Sequence, residues 1–240
     1  MGNTVEWFFG RGLSIECGLN WTVPNDWRAL ERDDQISRIK KALLAEMSAS
    51  HINTNSIRRV LTLLANHTIS PWRHQFYTTN WDFLLQKEIL DLSLRKLPSW
   101  CAESHVYHLN GTIEILPDNS KRSTFVLESD FAAARAVSIE GNIAYNKFIW
   151  SQIFVVVGMS FECEVDKYLL SALNRVEDDL PIGESYWIVL NPDINALSAS
   201  CERLRLALPR SKVIGNAKTF SAWLDMGMPE LQSREVVALQ

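Results

Sequence analysis

Little in this chain could staple it covalently or anchor it. Only four cysteines occur in 240 residues (Cys17, Cys101, Cys163, Cys201), and no two form a CxxC pair, which removes the usual zinc-ribbon module. Ten glycines and eight prolines leave no long Gly/Pro-rich linker. Even the apolar run Ile153 to Val157 is far too short to span a bilayer. No excess of positive charge exists either: 24 Lys and Arg against 28 Asp and Glu give a net charge of −4, which argues against a general nucleic-acid binder while leaving room for a local basic patch, and no direct nucleic-acid partner is expected. No charged-then-apolar leader opens the sequence. The expectation is a reduced, cytoplasmic, globular protein without a membrane segment.

What the chain does have is a set of short apolar runs, each closed by a small or polar residue. Val5 to Phe9 stops at Gly10, and His74 to Thr79 stops at Asn80. His105 to Leu109 stops at Asn110-Gly111, Ile153 to Val157 at Gly158, and Tyr186 to Leu190 at Asn191-Pro192. Runs of this length without polar alternation predict strands buried on both faces. The expected strands are 5–9, 75–79, 105–109, 153–157, 186–190 and 212–214. Between them the apolar spacing turns helical: Ile36, Ile39, Leu43, Leu44 and Met47 over 33–47, with Asp33 or Asp34 as N-cap, and Ile57, Val60, Leu61 and Leu64 over 56–65. Further helices are expected from about Asp82, over 129–150, through Val165 to Leu173, from Ile194 to Leu204, and over 218–227. A small hairpin is expected over 112–127. Strands alternating with helices predict a parallel α/β sheet covered on both faces. Residues 26–70 form a helical insert.

The polar residues at the strand ends carry the functional signal, because ligands bind at the carboxyl edge of such sheets. Gly10-Arg11-Gly12-Leu13-Ser14, with Gly18 beyond, permits a tight turn at which backbone amides could meet a phosphate; two glycines after a strand also make ordinary turns. Asn80-Trp81-Asp82 sets an amide and a carboxylate at a strand mouth, where Asp82 reads equally well as a helix cap. Period-2 alternation puts His108 and Asn110 on one strand face and His105 on the other. Gly158-Met159-Ser160 offers close approach and a hydroxyl. Asn191 could bind a ribose or only fix its turn.

Taken together, these residues resemble the sirtuin-like superfamily. Its opening Gly-Ala-Gly-Ile-Ser…Gly-Ile-Pro is similar to Gly10-Arg11-Gly12-Leu13-Ser14…Gly18-Leu19-Asn20. Its Asn-x-Asp is similar to Asn80-Trp81-Asp82, its Gly-Thr-Ser to Gly158-Met159-Ser160, and its Val-Asn strand end to Leu190-Asn191. The run Tyr77 to Asp82 and the absent zinc cysteines resemble more closely the bacterial sirtuin-like NAD hydrolases of antiphage defence. The chain departs from the pattern at Arg11, at Asn20, and at Asn110, which stands where the family's catalytic histidine precedes glycine.

The resemblance implies a Rossmann-like fold over residues 1–228, with the smaller helical insert at 26–70 and a C-terminal tail at 229–240. It implies NAD as substrate, no zinc, and cleavage of the nicotinamide–ribose bond. Asn80, Asp82 and His108 would be catalytic. Gly10, Arg11, Gly12, Ser14, Gly18, Asn80, Asp82, Asn110, Gly158, Ser160 and Asn191 would hold NAD. A free hydrolase would drain its own cell, so a separate sensor or regulatory subunit, and an oligomer, are expected. The alternative is a sensor subunit that binds NAD or ADP-ribose with little cleavage. Nine Trp and ten Phe suit an interface, or simply a core.

Overall fold

A computed structural model describes residues 4–66, 73–93, 106–111, 113, 127, 152–179 and 185–237. The expected helix over 129–150, His105, and the expected hairpin apart from Ile113 and Leu127 lie outside the described residues.

Six strands form one sheet in which every neighbouring pair is parallel: β1 (Thr4–Phe9), β2 (Arg73–Thr78), β3 (Tyr107–His108), β4 (Ile153–Val157), β5 (Tyr186–Leu190) and β6 (Lys212–Asn216). Their order is β3-β2-β1-β4-β5-β6, a Rossmann-like arrangement. The order reverses between β1 and β4, and that is where a crevice opens in such sheets.

The reason the central strands read as unbroken apolar runs is visible in the side chains. Alternation sends Val5, Trp7 and Phe9, with Ile153, Val155 and Val157, into one core, while Phe8, Phe154, Val156 and Trp187 enter the other. Trp187 stacks on Phe154 with ring centroids 4.1 Å apart. On the opposite face the buried Trp7 indole donates to His74 Nδ1 at 3.1 Å, so its polar atom is satisfied. Trp7, Trp187 and Trp223 are among the most deeply buried side chains, which answers for these three in favour of core filling.

Helices cover both faces. The first core is roofed by α1 (Arg11–Glu16), a 3₁₀ turn at Asn25–Ala29, α2 (Arg32–Met47), α3 (Asn55–Asn66) and α4 (Leu84–Ser93). The second is covered by α5 (Glu164–Asp179) and α6 (Ile194–Ala207). The chain returns to the first face with α7 (Phe220–Asp225) and α8 (Pro229–Val237). The insert is tied down by one buried carboxylate: Glu88 of α4 takes two bonds from Arg58, both 3.0 Å, and one from Thr54 at 2.6 Å. Burial works against ionisation of Glu88, but the Arg58 and Thr54 bonds outweigh it and hold its pKa below the usual value.

Four local expectations change. Helix α2 begins at Arg32 with Glu31 as N-cap, so Asp33 and Asp34 lie in its first turn, where they favour the helix dipole instead of capping it. Strand β6 runs on to Asn216, where it still pairs with Leu190 of β5, and Gly215 lets α6 pack close, since a Cβ there would lie 3.0 Å from Cys201 Sγ. Strand β3 is short, because the chain turns at Leu109-Asn110 with Gly111 at φ +71°. That turn breaks the alternation expected to keep His108 and Asn110 on one face. Lastly, the stretch beyond 228 contains α8, whose Leu231 is buried and whose Glu230 accepts from Trp223 Nε1 and Asn216 Nδ2. Among the described residues no helix is long and apolar enough to cross a membrane.

Candidate functional site

A cavity of about 870 Å³ lies along the carboxyl edge of the sheet, within the roughly 300–1,000 Å³ typical of ligand sites. Gly10, Arg11, Gly12, Ser14, Asn80, Asp82, Asn110, Gly158, Ser160 and Asn191 all line it. They come from the ends of β1, β2, β3, β4 and β5, which the parallel topology gathers at one edge. Two residues chosen from the sequence are elsewhere, Gly18 and His108.

The β1 and β4 turns meet at their glycines. A Cβ on Gly12 would lie 2.5 Å from Gly158 Cα, and one on Gly158, whose φ is +61°, would lie 2.4 Å from Gly12 Cα. Only glycine lets these backbones touch. The contact also uses donors: Gly12 N donates to Gly158 O at 2.9 Å, and Leu13 N to Gly10 O at 3.1 Å. Two amides that the sequence reading offered to a phosphate are therefore engaged within the protein. Gly18, at φ +93°, ends α1 by a Schellman pair: Gly18 N donates to Ile15 O and Leu19 N to Ser14 O. Its glycine is explained by that turn.

Beside the glycines runs a short polar chain. Asn80 Nδ2 donates to Gly10 O at 3.0 Å and to Ser14 Oγ at 2.8 Å; Ser14 Oγ donates to Asp82 Oδ2 at 2.6 Å. Gly10 O can only accept, so the Asn80 NH2 group must face it, and Asn80 Oδ1 is the atom left for a ligand. Asp82 Oδ1 accepts from Leu84 N at 3.2 Å, the first residue of α4. Asp82 thus serves both readings, bracing its helix with one oxygen and the site with the other. Burial raises its pKa, while the Ser14 and Leu84 bonds pull the other way.

Asn110 donates through Nδ2 to Thr79 O at 2.7 Å, and its Oδ1 is buried with no partner among the described residues. His108 is different. Both its ring nitrogens are buried, and burial lowers its pKa to about 4 against a smaller opposing pull from the Asn80 backbone. At neutral pH it is an uncharged imidazole outside the cavity lining.

On the β4 to β6 side, Asn191 Oδ1 accepts from Asp193 N at 3.0 Å, which leaves Nδ2 as the group available to a ligand. The Ser160 turn is held against α6, where Arg203 Nη1 donates to Ser160 O at 2.7 Å and Ser200 Oγ donates to Met159 O at 3.0 Å.

The sequence reading did not single out several residues that also line the cavity, among them Glu16, Arg28, Asp166 and Lys218. Glu16 accepts from Phe220 N and Ser221 N at 2.8 and 2.7 Å, which staples α1 to the start of α7 and sets Lys218 and Thr219 at the rim. Asp166, in the first turn of α5, is only 4% exposed. Burial raises its pKa to about 6, opposed by bonds from the Cys163 thiol and the Phe161 amide, and its Oδ1 has no partner among the described residues. An aspartate next to a glycine turn could have drawn attention; Asp166 lies six residues past Ser160 inside a helical pattern, so nothing in spacing marked it. Among the described residues no cluster of His, Cys, Asp and Glu could hold a metal ion.

Compared with protein families and with curated proteins, the chain finds no match in either.

Proposed function

We propose that the protein binds NAD across the carboxyl edge of its sheet and hydrolyses the nicotinamide–ribose bond, releasing nicotinamide and ADP-ribose. The observation that carries this reading is the cavity at the β1–β4 reversal, shared by the glycine turns and the Asn80–Ser14–Asp82 chain. The sirtuin-like residue pattern supplies the choice of NAD.

The chemistry asks little acid or base of the protein. Nicotinamide leaves as a neutral molecule from a cationic pyridinium, so no proton need be delivered to it. The ribose passes through an oxocarbenium-like state that water then captures, and one proton leaves with the product. Catalysis rests on holding the sugar, favouring the developing positive charge and orienting water. Asn80 Oδ1 and Asn110 Oδ1 are acceptors suited to ribose hydroxyls or water. Asp82, when ionised, favours positive charge nearby. Arg11 and Lys218 line the same cavity and suit the pyrophosphate.

His108, neutral and outside the lining, does not suit a general base, and Asn110 cannot take a proton. That observation favours a second reading: a subunit that binds NAD or ADP-ribose and cleaves it poorly. In both readings the protein works in the cytoplasm as an antiphage defence component. A separate sensor subunit or higher assembly gates it, since unchecked NAD loss would harm the host. Direct nucleic-acid binding is not part of either reading. A third class, zinc-dependent deacylation, lacks its cysteines.

Nicotinamide release, followed with NAD present, tests the proposal on the purified chain and on the complex recovered with its partner. Release that falls by about 100-fold in Asn80→Ala is expected for the hydrolase. Saturable NAD binding with no release from chain or complex establishes the sensor instead. Release unchanged by Asn80→Ala removes Asn80 from the site.

A further inference from the structure

The cavity holds two buried acceptor atoms with no protein partner among the described residues, and they lie on opposite sides of the glycine turn. Asn110 Oδ1 is at the end of β3, and Asp166 Oδ1 is just past β4. Since the sheet order is β3-β2-β1-β4, the Gly10–Gly12 turn at the end of β1 falls between them. A buried acceptor left unpaired costs about 1–3 kcal/mol, more when charged, so each is a place where a ligand donor would be favoured. A dinucleotide has matching symmetry: a pyrophosphate in the middle and a ribose with donor hydroxyls on either side.

Resting on the NAD reading above, we propose that Asp166 is the specificity residue for the ribose on the adenosine side, accepting its hydroxyls through Oδ1 and rejecting a dinucleotide phosphorylated there. The cleaved ribose belongs beside Asn80, Asp82 and Asn110, at β2 and β3. The other ribose then falls on the β4 side, where Asp166, Ser160 and Asn191 share the cavity wall.

The charges around Asp166 fit hydroxyls and not phosphate. A carboxylate with one oxygen held by the Cys163 thiol and Phe161 amide has its remaining acceptor for a hydroxyl. A 2′-phosphate in that place would set two like charges together in a desolvated pocket. Arg203, which reaches the Ser160 turn from α6, is already engaged with Ser160 O at 2.7 Å and Glu162 Oε1 at 2.7 Å. Arg11 and Lys218 enter the cavity from the β1 and β6 ends, not from α5.

Titration calorimetry on the full chain with NAD, NADP and NAD lacking the adenosine 2′-hydroxyl decides it. The wild type is expected to bind NAD at least about tenfold tighter than either analogue. In Asp166→Asn, whose folding is checked by its thermal midpoint, the preference over NADP should shrink by about tenfold, and in Asp166→Ala, which removes the acceptor as well, loss of the 2′-hydroxyl should no longer matter. Wild-type protein that binds NAD and NADP equally overturns the assignment while leaving the NAD reading intact, and this arm needs no variant to fold. An unchanged preference in Asp166→Asn likewise overturns it. Wild-type protein that binds none of the three overturns the NAD reading and this assignment with it.

Discussion

His108 and Asp166 are both buried titratable side chains, and their contributions to stability run in opposite directions with pH. The His108 pKa is lowered to about 4, so the folded state binds fewer protons than the unfolded chain below about pH 6.5. Its contribution is present above that pH and is lost as pH falls toward 4. The Asp166 pKa is raised to about 6, so its burial costs stability as pH rises from about 4 to 6. Replacing one side chain separates them. His108→Gln should leave a protein whose loss of stability between about pH 7.5 and pH 5 is smaller than the wild type's by about 2 kcal/mol. Urea denaturation of both proteins at the two pH values measures this. An identical pH dependence would mean that the imidazole is not held neutral by burial.

The decisive contact between elements is that of the β1–α1 turn with the β4–α5 turn. Each glycine occupies space that the other's Cβ would need, and Gly158 also has a left-handed φ. Gly158→Ala therefore meets both a steric and a conformational penalty, expected at about 2–4 kcal/mol. Because the same turns form the cavity wall, ligand binding should fall with it. Thermal unfolding and NAD titration read the two effects. Full stability and full binding in this variant would show that the turns can part at no cost. The strands on which these turns stand were legible in the sequence, since continuous apolar runs such as Ile153 to Val157 can only be buried on both faces. The end of β3 was not, because the turn at Leu109-Asn110 depends on Gly111 and on the bond from Gly111 N to His108 O at 3.1 Å.

Across the whole molecule, the C-terminal helices close the first core. Leu231 is buried in it, and Glu230 ties the Trp223 indole to Asn216 of β6. Deleting 229–240 should thus destabilise the whole fold by about 3 kcal/mol or more, from loss of a buried leucine and of two charge-assisted bonds. Denaturant unfolding of the truncated chain tests this; an unchanged midpoint would make the segment dispensable. Glu16 continues the closure across the site, fastening α1 to the amides of Phe220 and Ser221. Residues from the first turn of the fold and from its last β–α junction therefore meet at one cavity rim.

By itself, the sequence determined that strands and helices alternate, that the sheet is parallel and buried on both faces, and that polar residues at strand ends share one edge. These follow from local periodicity and from the geometry of parallel connections, which carry every strand's carboxyl end to the same side. Only the tertiary structure decided which polar atoms remain free there. It assigned the Asn80 NH2 group to Gly10 and Ser14, ended α1 with Gly18, withdrew His108 from the lining, and left Asn110 Oδ1 and Asp166 Oδ1 without a partner among the described residues. Hydrogen-bond partners far apart in the chain settle such choices. Periodicity, which reaches only a few residues, carries no information about them.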